Sequence, residues 1–358
     1  MSARLSGGER VLVRAPSWVG DFVAAEPAIR ALVLHQGARG CVSIAAPARL
    51  LGLLGERFPD LRRLPIAPEL PEGGANWRGH DVALLLNGSF GSAWRAWRSG
   101  IGIRAGFARG GRGAVLTHAY APARERGAKP LGLGRAGGGP RFLPRPFGAA
   151  CAELLGWLGV AVRERAPRLL VPGADRERAA ARLAAAGLGP GEPFVLANAG
   201  ARPGSAKGIP PGTFAAALDA LARTTSLPVV IACASGEEAA ARETAGRVVL
   251  ARTVLLDAPP SDLAELAALS ASARLAVGPD NGARHVAQAL GTPCIALCGP
   301  TDPRHTAEHA ATTRLLSVEV PCGPCHRETC PLAGDLRHAC MHRLEPARVA
   351  AAAAELLG

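Results

Sequence analysis

Arg274-Leu-Ala-Val-Gly-Pro-Asp-Asn-Gly-Ala-Arg-His285 changes character twice within a few residues. Arg274–Val277 is a short apolar run that predicts a buried strand. Gly278 to Gly282 is turn chemistry, and Ala283–Leu290 has the spacing of a helix. Cys294–Cys298 is the next apolar strand, and it ends in Gly299-Pro300-Thr301-Asp302. Strand, loop, helix and strand in this order form the repeating unit of a parallel sheet covered on both faces. The same rhythm runs back along the second half of the chain. Helix Asp175–Ala186 precedes strand Phe194–Ala199, and helix Thr213–Thr224 precedes strand Pro228–Cys233. Helix Glu237–Ala245, strand Val248–Leu256 and helix Ser261–Ser270 complete the series. The first half repeats it more loosely: Val11–Ala15, Cys41–Ala45 and Asp81–Leu86 read as strands, Phe22–Leu34 and Phe147–Gly159 as helices. Pro27 makes the first helix either kink or begin there. The expectation is an α/β protein of two parallel-sheet domains, residues 1–172 and 173–345, with a terminal helix over 346–358. A cleft between their facing carboxyl edges is the place for ligands. Between 104 and 146 the periodicity fails, and Gly, Arg and Pro predict a long loop.

Composition bounds the function. A 358-residue chain with 48% apolar residues is globular and long enough for two cores. The start of the chain has no apolar core of a signal peptide, and no apolar run reaches bilayer-spanning length, so a cytoplasmic protein is expected. Its charge is lopsided: residues 1–172 carry 24 Lys+Arg against 11 Asp+Glu, whereas 173–358 carry 17 against 18. The first half is therefore suited to an anionic partner, with nucleic acid, acidic lipid and a phosphorylated glycolipid all open.

Three loops at carboxyl edges carry the candidate chemistry. Pro16-Ser-Trp-Val-Gly-Asp21 follows the first strand, and Asp21 lies in the first turn of a helix whose dipole favours the ionised carboxylate. It is a candidate general base, or a helix N-cap. Gly200-Ala-Arg-Pro-Gly-Ser-Ala-Lys207 brings glycines, Ser205 and Lys207 together as a candidate diphosphate loop, without the residue order of a Walker A loop. Asp280, Asn281 and Gly282 lead into a helix start, a natural anion site, with His285 one turn in. Two other motifs fail on context. Gly132-Leu-Gly-Arg-Ala-Gly137 fits a dinucleotide fingerprint but lacks its strand and helix. Cys322-Gly-Pro-Cys-His326 fits haem attachment, which needs an exported chain. Cys322, Cys325, Cys330 and Cys340 remain as candidates for a structural zinc site, a redox pair or unliganded thiols.

Taken together, the blocks at 16–21, 200–207, 280–285 and 322–341 resemble the ADP-heptose:lipopolysaccharide heptosyltransferases, glycosyltransferase family 9, and are most similar to the type II members. The resemblance runs from about residue 11 to 350. It implies a GT-B fold, with an acceptor-binding domain followed by a donor-binding one. It also implies inverting transfer from ADP-L-glycero-D-manno-heptose to an anionic lipopolysaccharide core at the cytoplasmic face of the inner membrane, with no required cofactor. By the same resemblance Asp21 is the base, and Lys207 with Ser205 holds the diphosphate. Asp280, Asn281, Gly282 and His285 line the donor site, and Glu238, with Glu237 as the alternative, reaches the ribose or adenine. Gly208-Ile209 replaces the family's tryptophan after the lysine, and Pro279-Asp-Asn-Gly282 departs from its Asn-Asp-Ser-Gly form. Two rivals stand beside this reading: a GT-B transferase for another nucleotide sugar or acceptor, and a basic nucleic-acid-binding protein. The second lacks the aromatic platforms of single-strand binders.

Overall fold

The structure is a computed structural model, and the residues it describes are 4–37, 40–55, 58, 60–66, 76–121, 123, 143–200, 202, 204–307 and 311–358. The chain forms two compact units, Met1–Arg168 and Leu169–Gly358.

The first unit contains β1 (Arg10–Arg14), α1 (Val19–Gln36), β2 (Cys41–Pro47), α2 (Ala48–Leu51), β3 (Arg62–Ile66), β4 (Val82–Leu85), α3 (Phe90–Arg98), β5 (Ile103–Phe107), β6 (His118–Tyr120) and α4 (Phe147–Trp157). Its strands form one parallel sheet in the order β3-β2-β1-β4-β5-β6. The second unit contains α5 (Gly173–Ala185), β7 (Val195–Asn198), α6 (Pro211–Thr225), β8 (Val229–Ala232), α7 (Glu238–Ala245), β9 (Thr253–Leu256), α8 (Leu263–Ser272), β10 (Leu275–Pro279), α9 (Gly282–Ala289), β11 (Cys294–Cys298), β12 (Thr313–Ser317), α10 (Ala339–His342) and α11 (Pro346–Leu357). Its sheet, also parallel, runs β12-β11-β10-β7-β8-β9. The two orders are the same doubly wound pattern. In each, the strand order reverses beside the first strand, and open α/β sheets bind ligands outside the carboxyl ends at that reversal.

The cores follow from composition. Central strands such as β4, β8 and β11 are buried at every position, as expected for strands covered by helices on both faces. In the second unit, Val195, Phe214, Leu218, Ile231, Val277, Ile295 and Val349 pack on one face of the sheet, while Phe194, Leu196, Val230, Leu269 and Leu183 fill the other.

Three local expectations are corrected. α1 starts at Val19 and runs through Pro27 without ending there. Proline removes one backbone donor, and the burial of Phe22, Val23, Ala25, Ala28, Ile29 and Leu32 around it outweighs that loss. The stretch from 104 is not all loop, because β5 and β6 occupy part of it. Gly106 reads as a loop residue but serves the sheet: a side chain there would meet the Leu85 carbonyl oxygen at 2.8 Å. Residues 122 and 124–142, including the Gly132–Gly137 motif, lie outside the described residues. The strand expected over 248–256 shrinks to Thr253–Leu256, with Val249 and Leu250 82% and 55% exposed.

Candidate active site

In the first unit the loop after β1 is built around Ser17. Its hydroxyl accepts from the Arg14 guanidinium at 3.0 Å, and its carbonyl accepts from Arg49 at 3.4 Å. Trp18, not Asp21, occupies the N-cap position of α1, and it makes no side-chain cap bond. Asp21 therefore sits inside the first turn, half-buried, where the positive end of the helix dipole favours its negative charge. Arg109, in the loop after β5, shares its field. Desolvation pulls the Arg109 guanidinium below its usual range, and the Asp21 carboxylate opposes that shift. The Phe107 ring lies 5.9 Å from the same guanidinium. Arg112, fully buried, donates to the carbonyls of Phe107 and Asn87; burial, with Arg109 nearby, pushes it down to about 10. A carboxylate beside a guanidinium at this sheet edge can accept a proton while the cation binds an anion. Arg14, Arg49 and Arg109 are the residues that sequence reading missed here; the only signal was a surplus of arginine spread over the whole half.

In the second unit the loops after β7 and β10 meet at the strand-order reversal. The Lys207 ammonium donates to the Asp280 carbonyl at 2.8 Å, and the Lys207 amide donates to the Ser205 hydroxyl at 3.2 Å. An ammonium carries three donors, so this bond holds Lys207 in place and leaves donors for a ligand. Asn281 caps α9, its side chain accepting from the Ala283 amide at 3.0 Å while its NH2 donates to the Gly200 carbonyl at 3.0 Å. That single residue ties the glycine loop to the start of α9. Ala201 and Pro203 of the loop lie outside the described residues.

Asp280 faces inward. It is 3% exposed and paired with Arg284 at 2.9 Å, and its other oxygen accepts from the hydroxyls of Thr301 and Thr306 at 3.2 and 3.3 Å. Burial alone raises a carboxyl pKa, but Arg284, His285 and Lys207 around it hold Asp280 below the usual range. Asp280 thus acts as the hub joining the loops after β10 and β11. His285, half-buried, approaches the Arg284 guanidinium at 3.0 Å. Glu238 is the first residue of α7. Glu237, just before it, accepts from the Ala234 amide at 3.0 Å, and burial raises its pKa. The Glu237 carboxylate lies so close to Gly200 that a methyl group there would collide with it.

The cysteine-rich segment is part of this wall, which its sequence position did not reveal. Its backbone pairs with the glycine loop after β7: the Ala206 amide donates to the Glu328 carbonyl at 2.7 Å, and Ser205 bridges Thr329. The His326 amide donates to the Pro300 carbonyl at 2.8 Å, and the His338 ring bonds the Gly208 backbone. Cys322, Cys325 and Cys330 surround Cys340; burial, with those thiols nearby, pushes Cys340 up to about 11. All four are free thiols. Among the described residues, no three His, Cys, Asp or Glu side chains are arranged to hold a metal ion. Among the same residues no helix is long and apolar enough to cross a membrane.

Comparison with known proteins completes the picture. A family model described as glycosyltransferase family 9 (heptosyltransferase) matches residues 145–334. Lipopolysaccharide heptosyltransferase 1 of Pseudomonas aeruginosa is 36% identical over 123 residues, 31% of this chain and 35% of that protein, so the match spans about a third of the relative. The structure of E. coli ADP-heptose LPS heptosyltransferase II superimposes with a TM-score of 0.67 at 22% identity, covering 97% of this chain and 98% of that one. E. coli heptosyltransferase WaaC, solved with ADP, gives 0.62 at 16% identity, over 86% and 92% of the two chains. At these identities the structural likeness is one of fold, and the fold is GT-B.

Proposed function

Because the chain belongs to glycosyltransferase family 9 (heptosyltransferase), with more than half of it matched by that family's model, we propose that it transfers heptose from ADP-L-glycero-D-manno-heptose to the inner core of lipopolysaccharide. Inversion at the anomeric carbon and the type II step are part of the proposal. The observation that carries it is the meeting of Lys207 and the α9 start at the strand-order reversal of the second sheet. A fixed ammonium next to the positive end of a helix suits a diphosphate and the negative charge that grows on departing ADP. The ADP bound by E. coli WaaC, which shares the fold, supports the same nucleotide.

In this reading Ser205, Lys207, Asn281 and Gly282 hold the diphosphate, Glu238 reaches the ribose or adenine, and His285 lines the sugar side. Asp280 contributes by holding the two loops together. Asp21 takes the proton from the acceptor hydroxyl as that oxygen attacks the anomeric carbon; the C–O bond to the diphosphate breaks and ADP leaves. The first unit, with its 24 Lys+Arg against 11 Asp+Glu, takes the anionic core acceptor at the cytoplasmic face of the inner membrane. No cofactor or catalytic metal enters this chemistry, because Lys207 and the helix start take up the charge. A thermal-shift panel of nucleotide sugars tests it. ADP-heptose at a hundred times its dissociation constant should stabilise the chain by about 2.7 kcal/mol, and UDP or GDP sugars should not. Stabilisation by another nucleotide sugar in place of ADP-heptose would overturn the donor assignment.

A further inference from the structure

The chain has five tryptophans and eight phenylalanines, so where it exposes them carries information. α3 buries Ser92, Ala93 and Ala96 and turns Phe90, Trp94 and Trp97 outward, 47%, 42% and 48% exposed. Their rings stand in a row: Phe90 stacks on Trp94 at 6.3 Å, and Trp94 leans on Trp97 at 4.7 Å. Single exposed apolar residues are ordinary, whereas a contiguous aromatic face opposite a small-residue face marks a contact surface. Arg95 and Arg98 lie in the last turn of the same helix, with Arg95 seated over the Trp77 ring at 4.9 Å. Trp18, 62% exposed, stands at the carboxyl edge of β1, the strand paired with β4, from which α3 leads.

We infer that α3 is the surface on which the first unit docks to an anionic phospholipid bilayer. Tryptophan combines an apolar ring with a polar N–H and settles at the boundary between headgroups and acyl chains. Arg98, exposed on the same helix, can keep its guanidinium at the phosphates while its stem lies in the same layer, whereas Arg95 is held over the buried Trp77 ring. A helix of this length cannot span a bilayer but can lie in its interface. The unit's excess of 24 Lys+Arg over 11 Asp+Glu supplies the attraction to anionic lipid. Single-stranded nucleic acid is the less suited occupant, because Trp94 and Trp97 close on each other and leave no slot between them for a base. The inference deepens the proposed function, which needs a lipid-borne acceptor: docking through α3 brings the bilayer surface to the sheet edge that carries Asp21.

Co-sedimentation with phosphatidylcholine vesicles, with and without about 30 mol% phosphatidylglycerol, tests it on the full chain. The wild type should sediment with the anionic vesicles and much less with neutral ones. Trp94→Ser/Trp97→Ser should lose roughly tenfold in vesicle partitioning while keeping its circular dichroism and melting temperature. Trp94→Phe/Trp97→Phe, which keeps aromatic rings on that face, should retain most of the binding and guards against a folding artefact. Equal sedimentation of wild type and the serine variant would overturn the inference. So would a wild type that ignores vesicles, whether it binds single-stranded RNA or forms a dimer that the serine variant dissolves. The assay contains neither donor nor acceptor, so a chain that binds vesicles but transfers no heptose refutes the reaction and leaves this surface standing.

Discussion

Replacing Asp280 by Asn is the most informative change to the loops at the carboxyl edge of the second sheet. The substitution keeps the shape and one acceptor oxygen but removes the charge opposite Arg284, both side chains being 3% exposed. Breaking a buried ion pair from one side costs about 3–5 kcal/mol, because the remaining charge stays buried without its counterion. In a unit of this size each kcal/mol lowers the melting temperature by about 2–4 °C, so the second unit should melt roughly 6–20 °C lower. The hydroxyls of Thr301 and Thr306 lose a charged acceptor, so the loop after β11 should loosen and donor affinity fall with stability. Asp280→Asn/Arg284→Met, which removes both charges, should recover much of the loss. The pH dependence has a definite sign. Arg284, His285 and Lys207 depress the folded-state pKa of Asp280 against the opposing effect of burial. Its stabilising contribution is therefore complete above the unfolded value of about 3.9 and is lost as pH falls through the lower folded value. Wild type and Asp280→Asn should accordingly converge in strong acid. Differential scanning calorimetry across pH decides the matter: a variant within 1 °C of wild type at neutral pH would refute the reasoning.

Lys207→Ala removes a charged contact worth about 1.5–3 kcal/mol and should weaken ADP-sugar binding roughly tenfold to a hundredfold by calorimetry. Unchanged affinity would remove its phosphate role. Gly200→Ala places a methyl group on the Glu237 carboxylate and should lower donor-dependent thermal stabilisation more than Gly173→Ala, which adds its methyl in open space at the start of α5; equal effects would remove the donor role proposed for this glutamate pair. Burial pushes Cys294 and Cys298 up to about 12, so iodoacetamide at neutral pH should spare them and label exposed Cys41 and Cys322 first. Alkylation confined to Cys322 and its neighbours should also lower donor affinity, because that segment pairs with Ser205 and Ala206; peptide mapping alongside a donor titration reads both effects.

Most interior strands were legible in the sequence, β5 excepted, whereas the edge strands β3, β6 and β12 were not. Cys294–Cys298 is a run of apolar residues bounded by turns, and the strand has those ends. β3, by contrast, reads Arg62-Arg-Leu-Pro-Ile66 and was missed. It lies at the sheet's edge, where proline is tolerated and one side needs no apolar partner. β12, at the edge of the second sheet, was missed for the same reason. The loops after β7 and β10 were legible as strand-to-helix junctions because glycine, asparagine and lysine there imply a backbone conformation and a charge whatever the rest of the fold does. The inward turn of Asp280 was not legible: it depends on Arg284 one helical turn on and on Thr301 and Thr306, which another loop supplies. Nor could spacing alone show that Glu328 and Thr329 pair with the glycine loop after β7, more than a hundred residues earlier.

The central claim is that this chain moves a heptosyl group from ADP-heptose with Asp21 as the base. It is tested most directly by measuring heptosyl transfer to a lipopolysaccharide-core acceptor by wild type and Asp21→Asn at saturating donor and acceptor. Because Trp18 rather than Asp21 caps α1, the substitution should leave the fold and the donor-induced thermal shift intact. The wild type should yield acceptor carrying one more heptose and one ADP per transfer, and Asp21→Asn should be slower by roughly 10²–10⁴-fold. A wild type that transfers nothing from ADP-heptose, or an Asp21→Asn enzyme within a few-fold of wild type, would contradict the account.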